Sequence, residues 1–555
     1  MKKHSALVFS IASILLVLAG CGTGNVRITL SDELDPLYPD SQVDSAIREI
    51  TLDAARGTIA AVHLLVNGLE PGSDLILTVN GQKAGVGTWY RLIDVPVNEN
   101  TGLDSRTEKF TGQVNPYVLR RAPFRIFEAM EPVAFPVQAL AGTEAYRLEV
   151  PIDHGMDPGR YHYRIRLTTK GLRNNLDLNI QVSPATVPEL SASNLNYVNW
   201  HSNGNIARDH ELELWSEPFW EMLGRYARLM AKGRQNTFWF IWSDFFQFDS
   251  VGQVTGFEGE RLERYINTFL AEGLTTIQGA PFCRRRDWGS DAFLVAVPTA
   301  GGLEIPATSQ QGLEIIREMA GRVAALMERN GWSERWVQGV FDEPTNEYVS
   351  RYQTVVEWLK EIVPGIRVLE ATMTVSLAGV VDYWCPQVQE YQAHRDFFEE
   401  RKRAGDQVWV YTCLIPGGPW INRLVDQERL RQVYVGWACA VYDLQGFLHW
   451  GLNHHRGNAL EELIRQHGDS TNFLPAGDSH IIYPRKEGPL SGLRFEAHRI
   501  GMEDYELLLQ LKAKDPDQMN ELISKLFRAF NDYSTNSGEY RAVKAQLLQS
   551  LGGVD

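Results

Sequence analysis

Between residues 191 and 490, eight short apolar runs of β character alternate with amphipathic helical segments, and this alternation restricts the fold more than any other feature. The runs NYVNW, NTFWFIW, LTTIQGA, WVQGVFD, IRVLEAT, VVDYWCP, QVWVYTC and GFLHWGLN end near Trp200, Trp242, Ala280, Asp342, Thr372, Pro386, Cys413 and Asn453. Segments such as LEIIREMAGRVAALMERNG and YVSRYQTVVEWLKEIV carry apolar residues three and four apart, the period of a helix buried on one face. Gly233, Gly273 and Gly331 close the first three helical segments, where a left-handed C-cap is expected. Eight strands alternating with helices predict a (β/α)8 TIM-type barrel, with only TVSLAG in place of the fifth helix.

Residues 21–182 have a different pattern. NVRITL, REITLDA, AAVHLLVNG, DLILTVNG, WYRLIDVPV, YRLEVPI and YHYRIRLTT are short and β-rich, with turn residues between them and no helical run. An all-β sandwich is the expected solution. It either binds sugar or packs beside a catalytic domain, and its sequence supplies no chemistry of its own. SPATVPEL, residues 183–190, is expected to be an extended linker because of its two prolines. Residues 491–555 are expected to form helices packed on the barrel exterior.

Residues 1–20 read as an export leader, with Lys2 and Lys3 ahead of an apolar stretch shorter than the roughly 20 residues a membrane span needs. Leu18-Ala19-Gly20-Cys21 resembles the lipobox of bacterial lipoproteins. That implies cleavage before Cys21, lipid on its thiol, and membrane attachment in the cell envelope outside the cytoplasm. A net charge of -15 argues against a nucleic-acid partner, which needs concentrated basic surface. The other cysteines, Cys283, Cys385, Cys413 and Cys439, lack zinc spacing and read as buried thiols, with a Cys385–Cys413 disulfide as the alternative. Fifteen tryptophans and twenty tyrosines favour sugar recognition as well as core packing, since aromatic faces stack on pyranose rings.

In a barrel of this kind the chemistry sits at the C-terminal ends of the strands, where the fourth run closes in Asp342-Glu343-Pro344. Strand neighbours point to opposite faces, so two adjacent carboxylates share a pocket only where the strand breaks, and Pro344 is expected to supply that break. The competing role is a cap on the following helix, which Thr345 and Asn346 are equally able to fill. A glycosidase with a protein nucleophile or base needs a second carboxylate at ~5.5 Å or ~6.5–9.5 Å. The seventh and eighth runs offer none, leaving Glu370 and Asp382 as candidates. An adjacent pair suits a mechanism in which the substrate's own 2-acetamido oxygen is the nucleophile.

VFDEP (340–344), GFLHWGLN (446–453), GDSHIIYP (477–484) and above all LRFEAHRIGMEDYELL (493–508) resemble glycoside hydrolase family 123. The resemblance implies a retaining, exo-acting hydrolase that removes a terminal β-linked 2-acetamido sugar, most often GalNAc, without a cofactor. It also implies that Glu343 acts as general acid and then base, while Asp342 orients the acetamido group. Strand-end positions nominate Trp200, Trp242, Tyr383, Trp384, Tyr411 and Trp450 as sugar-facing walls, and Asn199, His201 and Asn453 as hydroxyl partners. Arg494, Arg499 and Asp504 read as internal ion-pair residues, and His454-His455 has no metal-ligand spacing. The rival functions are a glycosidase pairing Glu343 with Asp382 or Glu370, and a surface lipoprotein that binds glycans without turnover.

Overall fold

The computed structural model describes residues 26–43, 46–81, 87–298, 303–466 and 473–552; the expected leader and Cys21 lie outside them. All seven expected N-terminal strands form, within two sheets. One sheet sets Arg27–Asp32, Thr58–Asn67, Glu144–Ile152, Thr88–Val97 and Phe124–Pro132 side by side. The other holds Glu49–Arg56, Leu172–Thr186, Gly159–Thr169, Asp74–Gly81 and Val137–Gln138. Alternate residues such as Tyr163, Ile165 and Leu167 turn inward onto a shared core with Leu64, Leu148 and Leu178, as the two-residue period of a strand requires.

Two boundaries shift from expectation. Leu172–Thr186 continues through Ser183-Pro184-Ala185, so the linker begins later than residue 183. Pro184 fits there because the register slips between Val182 and Thr186, a bulge at which no ladder amide is required. The hairpin Tyr483–Arg485/Gly488–Gly492, expected to belong to the barrel, instead extends the first sandwich sheet through Gly492 and Ala129. In the C-terminal segment Pro516–Ser524 and Ser537–Gly552 are helical, whereas LFRAF forms a small hairpin from Phe527–Ala529 and Asp532–Tyr533.

The barrel strands are β1 (Asn196–Asn199), β2 (Thr237–Phe240), β3 (Thr276–Gly279), β4 (Trp336–Gln338), β5 (Arg367–Thr372), β6 (Tyr383–Pro386), β7 (Gln407–Tyr411) and β8 (Gly446–His449). They pair in parallel in that order, and β8 closes back onto β1. No ladder joins β1 to β2 among the described residues; side-chain amides bridge that seam. Asn236 accepts from the Tyr197 N–H at 2.9 Å and donates to the Leu195 carbonyl at 3.0 Å. Gln235 donates to the Asn199 carbonyl at 3.1 Å.

Helices α1 (Glu217–Lys232), α2 (Gly259–Leu270), α3 (Gln310–Arg329), α4 (Val349–Ile362), α5 (Arg395–Arg403), α6 (Leu430–Val441) and α7 (Leu493–Lys514) accompany the strands. Between β5 and β6 there is only a turn, as expected. Gly273 and Gly331 take the left-handed conformation, but Gly233 does not; Arg234 takes it instead. Gly233 is required for space, because the Phe495 ring lies where its Cβ would be.

Helix α7 is buried from Leu493 to Leu508, wedged between barrel and sandwich, which explains why charged residues interrupt its apolar pattern. Each expected ion-pair residue has its partner. Arg494 meets Glu128 of the sandwich at 2.7 Å, Arg499 lies between Glu496 and Glu503, and Asp504 takes Lys544. Lys232 of α1 joins Glu149 and Glu496, so the network crosses from barrel to sandwich. Burial alone would raise the Glu496 pKa, but Lys232, Arg499 and Arg147 override it and hold the carboxylate well below its usual range. The sandwich also reaches the C-terminal face of the barrel: Asn100 and Thr101 bond to buried Asp426, and the Gly417 N–H donates to the Asp104 carbonyl at 2.8 Å.

Candidate active site

β4 stops at Gln338, and the chain is then shaped by a carboxylate from the next strand. Glu370 of β5 accepts the Val340 and Phe341 amides and the Tyr352 hydroxyl, each at 2.9 Å, on one buried oxygen. Burial pushes the Glu370 pKa up to about 8 against those hydrogen bonds. Glu343 itself has φ 52°, a left-handed conformation rare for a side chain of this size. The pleat therefore breaks at Glu343 as well as at Pro344, and both carboxylates reach the open end of the barrel. Arg285, from the loop after β3, donates to the Asp342 and Glu343 carbonyls and fixes this turn. Neither carboxylate caps the following helix: no side chain caps α4 or the short turn Asn346–Tyr348 ahead of it.

The Glu343 carboxylate accepts from the Tyr411 hydroxyl of β7, and the Gln387 side chain just past β6 favours its charged form. Burial raises the Asp342 pKa to about 7, the Glu343 charge adds to this, and Arg285 opposes it. Burial raises Glu343 as well, against Tyr411, Arg285 and Gln387. Two like charges this close do not both ionise easily, so near neutrality the pair retains a proton, giving one donor and one acceptor side by side.

The walls are partly those expected. Trp200 points into the barrel mouth, stacked on Trp239 at 4.6 Å and 4°, with its indole N–H on Gln278 at 3.0 Å. Tyr411 and Trp450 share that interior, and Asp478 of the GDSHIIYP block accepts the Trp450 indole N–H at 3.2 Å. Tyr383 is also interior but begins β6, where its hydroxyl meets Arg367 at the start of β5, so it lies at the closed floor. Trp242 and Trp384 face away from the pocket. Trp242 stacks on Phe282 at 4.2 Å and donates to the Ala280 carbonyl; Trp384 donates to Asp406 and packs edge-on against Phe397 and Phe398 of α5. The two-residue period accounts for both: Trp239 and Tyr383 take the inward positions, leaving the outward parity to these residues.

The three polar candidates serve the frame. Asn199 holds the β1–β2 seam through Gln235 and accepts from Arg423 at 2.6 Å. His201 lies on the outer side, bonded to the Tyr265 hydroxyl at 2.7 Å, with its pKa lowered to about 3 by burial. Asn453 ties the loop after β8 to Ser202. Asp382 precedes β6, at the opposite end from Glu343, where it accepts the Val368 N–H at 2.8 Å and pairs with Lys360 at 3.3 Å. Cys385 and Cys413 are free buried thiols, not a disulfide. His455 pairs with Asp209 at 2.8 Å, and no metal-binding cluster of three or more His, Cys, Asp or Glu residues occurs among the described residues. A groove of about 1050 Å3 on the outer wall, lined by Glu260, Glu263, Arg322 and Arg329, is on the wrong side of the sheet to reach the carboxylates.

Sequence reasoning missed Trp239, Arg285 and Gln387. Gln387 carried the clearest signal, as the polar residue directly after the β6 strand end.

The family model described as "Glycoside hydrolase 123, catalytic domain" matches residues 200–511, more than half of the chain. Among solved structures, a family 123 glycoside hydrolase from Clostridium perfringens superposes with a TM-score of 0.72 at 13% identity, covering 95% of this chain and 97% of that one. An endo-beta-1,4-mannanase from Thermotoga petrophila reaches a TM-score of only 0.34 at 12% identity, over 58% of this chain and 78% of that one. No curated protein sequence matches the chain. The barrel, its paired carboxylates and the family model agree, and the chain belongs to glycoside hydrolase family 123.

Proposed function

We propose that this glycoside hydrolase removes a terminal β-linked 2-acetamido sugar, most readily GalNAc, with retention of configuration and assistance from the substrate. The supporting observation is that Asp342 and Glu343 share the pocket, while the other candidate carboxylates are committed elsewhere: Glu370 to backbone amides and Asp382 to the barrel floor. The acetamido oxygen attacks the anomeric carbon as the glycosidic bond breaks, and Glu343 delivers its proton to the leaving oxygen. Asp342 accepts the acetamido N–H and stabilises the oxazolinium. This draws the pair's negative charge onto Asp342 and leaves the proton on Glu343. Glu343, now a base, takes a proton from the water that opens the ring. Trp200, Trp239 and Trp450 supply apolar faces for the sugar and its acetamide methyl.

The test is hydrolysis of aryl β-GalNAc, β-GlcNAc and plain β-hexosides by wild type, Asp342→Asn and Glu343→Gln. Both variants lose at least about a hundredfold on the 2-acetamido substrates. Wild type that cleaves a plain hexoside and no 2-acetamido glycoside refutes substrate assistance. For localisation, we propose lipid attachment at Cys21 and a site of action in the cell envelope. Fatty-acid labelling that is lost in Cys21→Ala is the expected result.

A further inference from the structure

Of the fifteen tryptophans, only Trp288 is mostly exposed, at 58%. It lies on the loop after β3, on the same barrel face as the carboxylates. That loop is fixed: the Asp287 carboxylate accepts the Gly289 N–H at 3.0 Å, the Tyr348 hydroxyl donates to the Ser290 carbonyl, and Arg351 donates to the Asp291 carbonyl at 2.7 Å. The Arg285 guanidinium lies 4.2 Å from the centre of the Trp288 ring, and the same guanidinium binds the Asp342 and Glu343 carbonyls. An indole left in water at a loop tip gains nothing for the core. Here one face is held by a cation and the other faces solvent, one side chain away from the candidate general acid.

We propose that Trp288 is the stacking platform for the leaving-group sugar, so that the substrate's aglycone is itself a pyranose. The inference rests on the proposed glycosidase reaction with Glu343 as acid. In that reaction the glycosidic oxygen sits at Glu343, the terminal 2-acetamido sugar is enclosed by Trp200, Trp239 and Trp450, and the leaving-group sugar emerges over the rim. The pyranose C–H face stacks on the open side of the indole, while Arg285 keeps the ring plane in register with the acid.

The experiment compares wild type, Trp288→Ala and Trp288→Phe on two substrates: a β-linked disaccharide with a terminal 2-acetamido sugar, and the corresponding glycosyl fluoride, whose leaving group needs no platform. The expected result is that Trp288→Ala lowers kcat/KM on the disaccharide about tenfold more than on the fluoride, and that Trp288→Phe recovers most of the difference. Equal losses on both substrates overturn the platform and leave the proposed reaction standing, as does wild type that cleaves the fluoride but no disaccharide. If wild type accepts plain hexosides only, the reaction proposed above fails, and the same ratio measured on the matching hexoside pair still decides the role of Trp288. The exposed position keeps both variants foldable.

Discussion

Replacing Glu370 distinguishes a frame residue from a nucleophile. Its one engaged oxygen receives the Val340 N–H, the Phe341 N–H and the Tyr352 O–H. Glu370→Leu leaves three buried donors without an acceptor, at about 1–3 kcal/mol each, so the fold loses at least about 3 kcal/mol. That is a large share of the ~5–15 kcal/mol that separates folded from unfolded protein. The amides released belong to the two residues before Asp342, so kcat falls with stability. Glu370→Gln keeps a carbonyl acceptor in the same place and retains most of both. The assay pairs urea denaturation with kcat/KM on an aryl 2-acetamido glycoside, with and without added azide. If Glu370 were instead the nucleophile, Glu370→Gln would be as inactive as Glu370→Leu, and azide would restore turnover to a small side chain such as Glu370→Ala, giving an azide product of inverted configuration. That outcome, or Glu370→Leu with wild-type stability, refutes the reasoning.

The acid Glu343 must hold its proton to work, and burial raises its pKa, so kcat/KM declines on a basic limb that lies above the usual carboxylate range, where the coupled pair gives up its proton. Asp342→Asn removes the neighbouring like charge, which lowers the Glu343 pKa and moves this basic limb to lower pH; a pH–rate profile whose limb stays put or moves up contradicts the coupling. Helices α6 and α7 cross through Gly436 and Gly501, where a Cβ on Gly436 would lie 1.8 Å from the Gly501 carbonyl oxygen. Gly436→Ala forces the crossing apart and costs about 3 kcal/mol, read as a lower Tm by calorimetry.

The barrel was legible because its strands and helices alternate in period as well as in composition, and all eight strand runs form where expected. The carboxylate pair was legible because adjacent like charges before a proline have little structural use. Side-chain direction was not. Barrel strands are buried on both faces, so NTFWFIW and VVDYWCP carry no polar alternation to mark which tryptophan points inward. Trp242 and Trp384 were misplaced for that reason. Asn199, His201 and Asn453 look like ligand contacts in sequence because the seam and loop ties that occupy them join segments distant in the chain. The left-handed backbone at Glu343 had no signal either, since it is imposed from outside by Arg285 and Glu370.

The hairpin Tyr483–Gly492, which completes the first sandwich sheet after the whole barrel has been traversed, sets an order of assembly. As the chain emerges from its N-terminus, the Phe124–Pro132 strand has one partner and one bare edge, and it stays so until more than three hundred further residues have appeared. A bare edge invites pairing with another chain. Folding of both regions together, once the whole chain is present, removes that interval. A sandwich cut free at its linker retains the bare edge permanently and is expected to self-associate where the full chain does not.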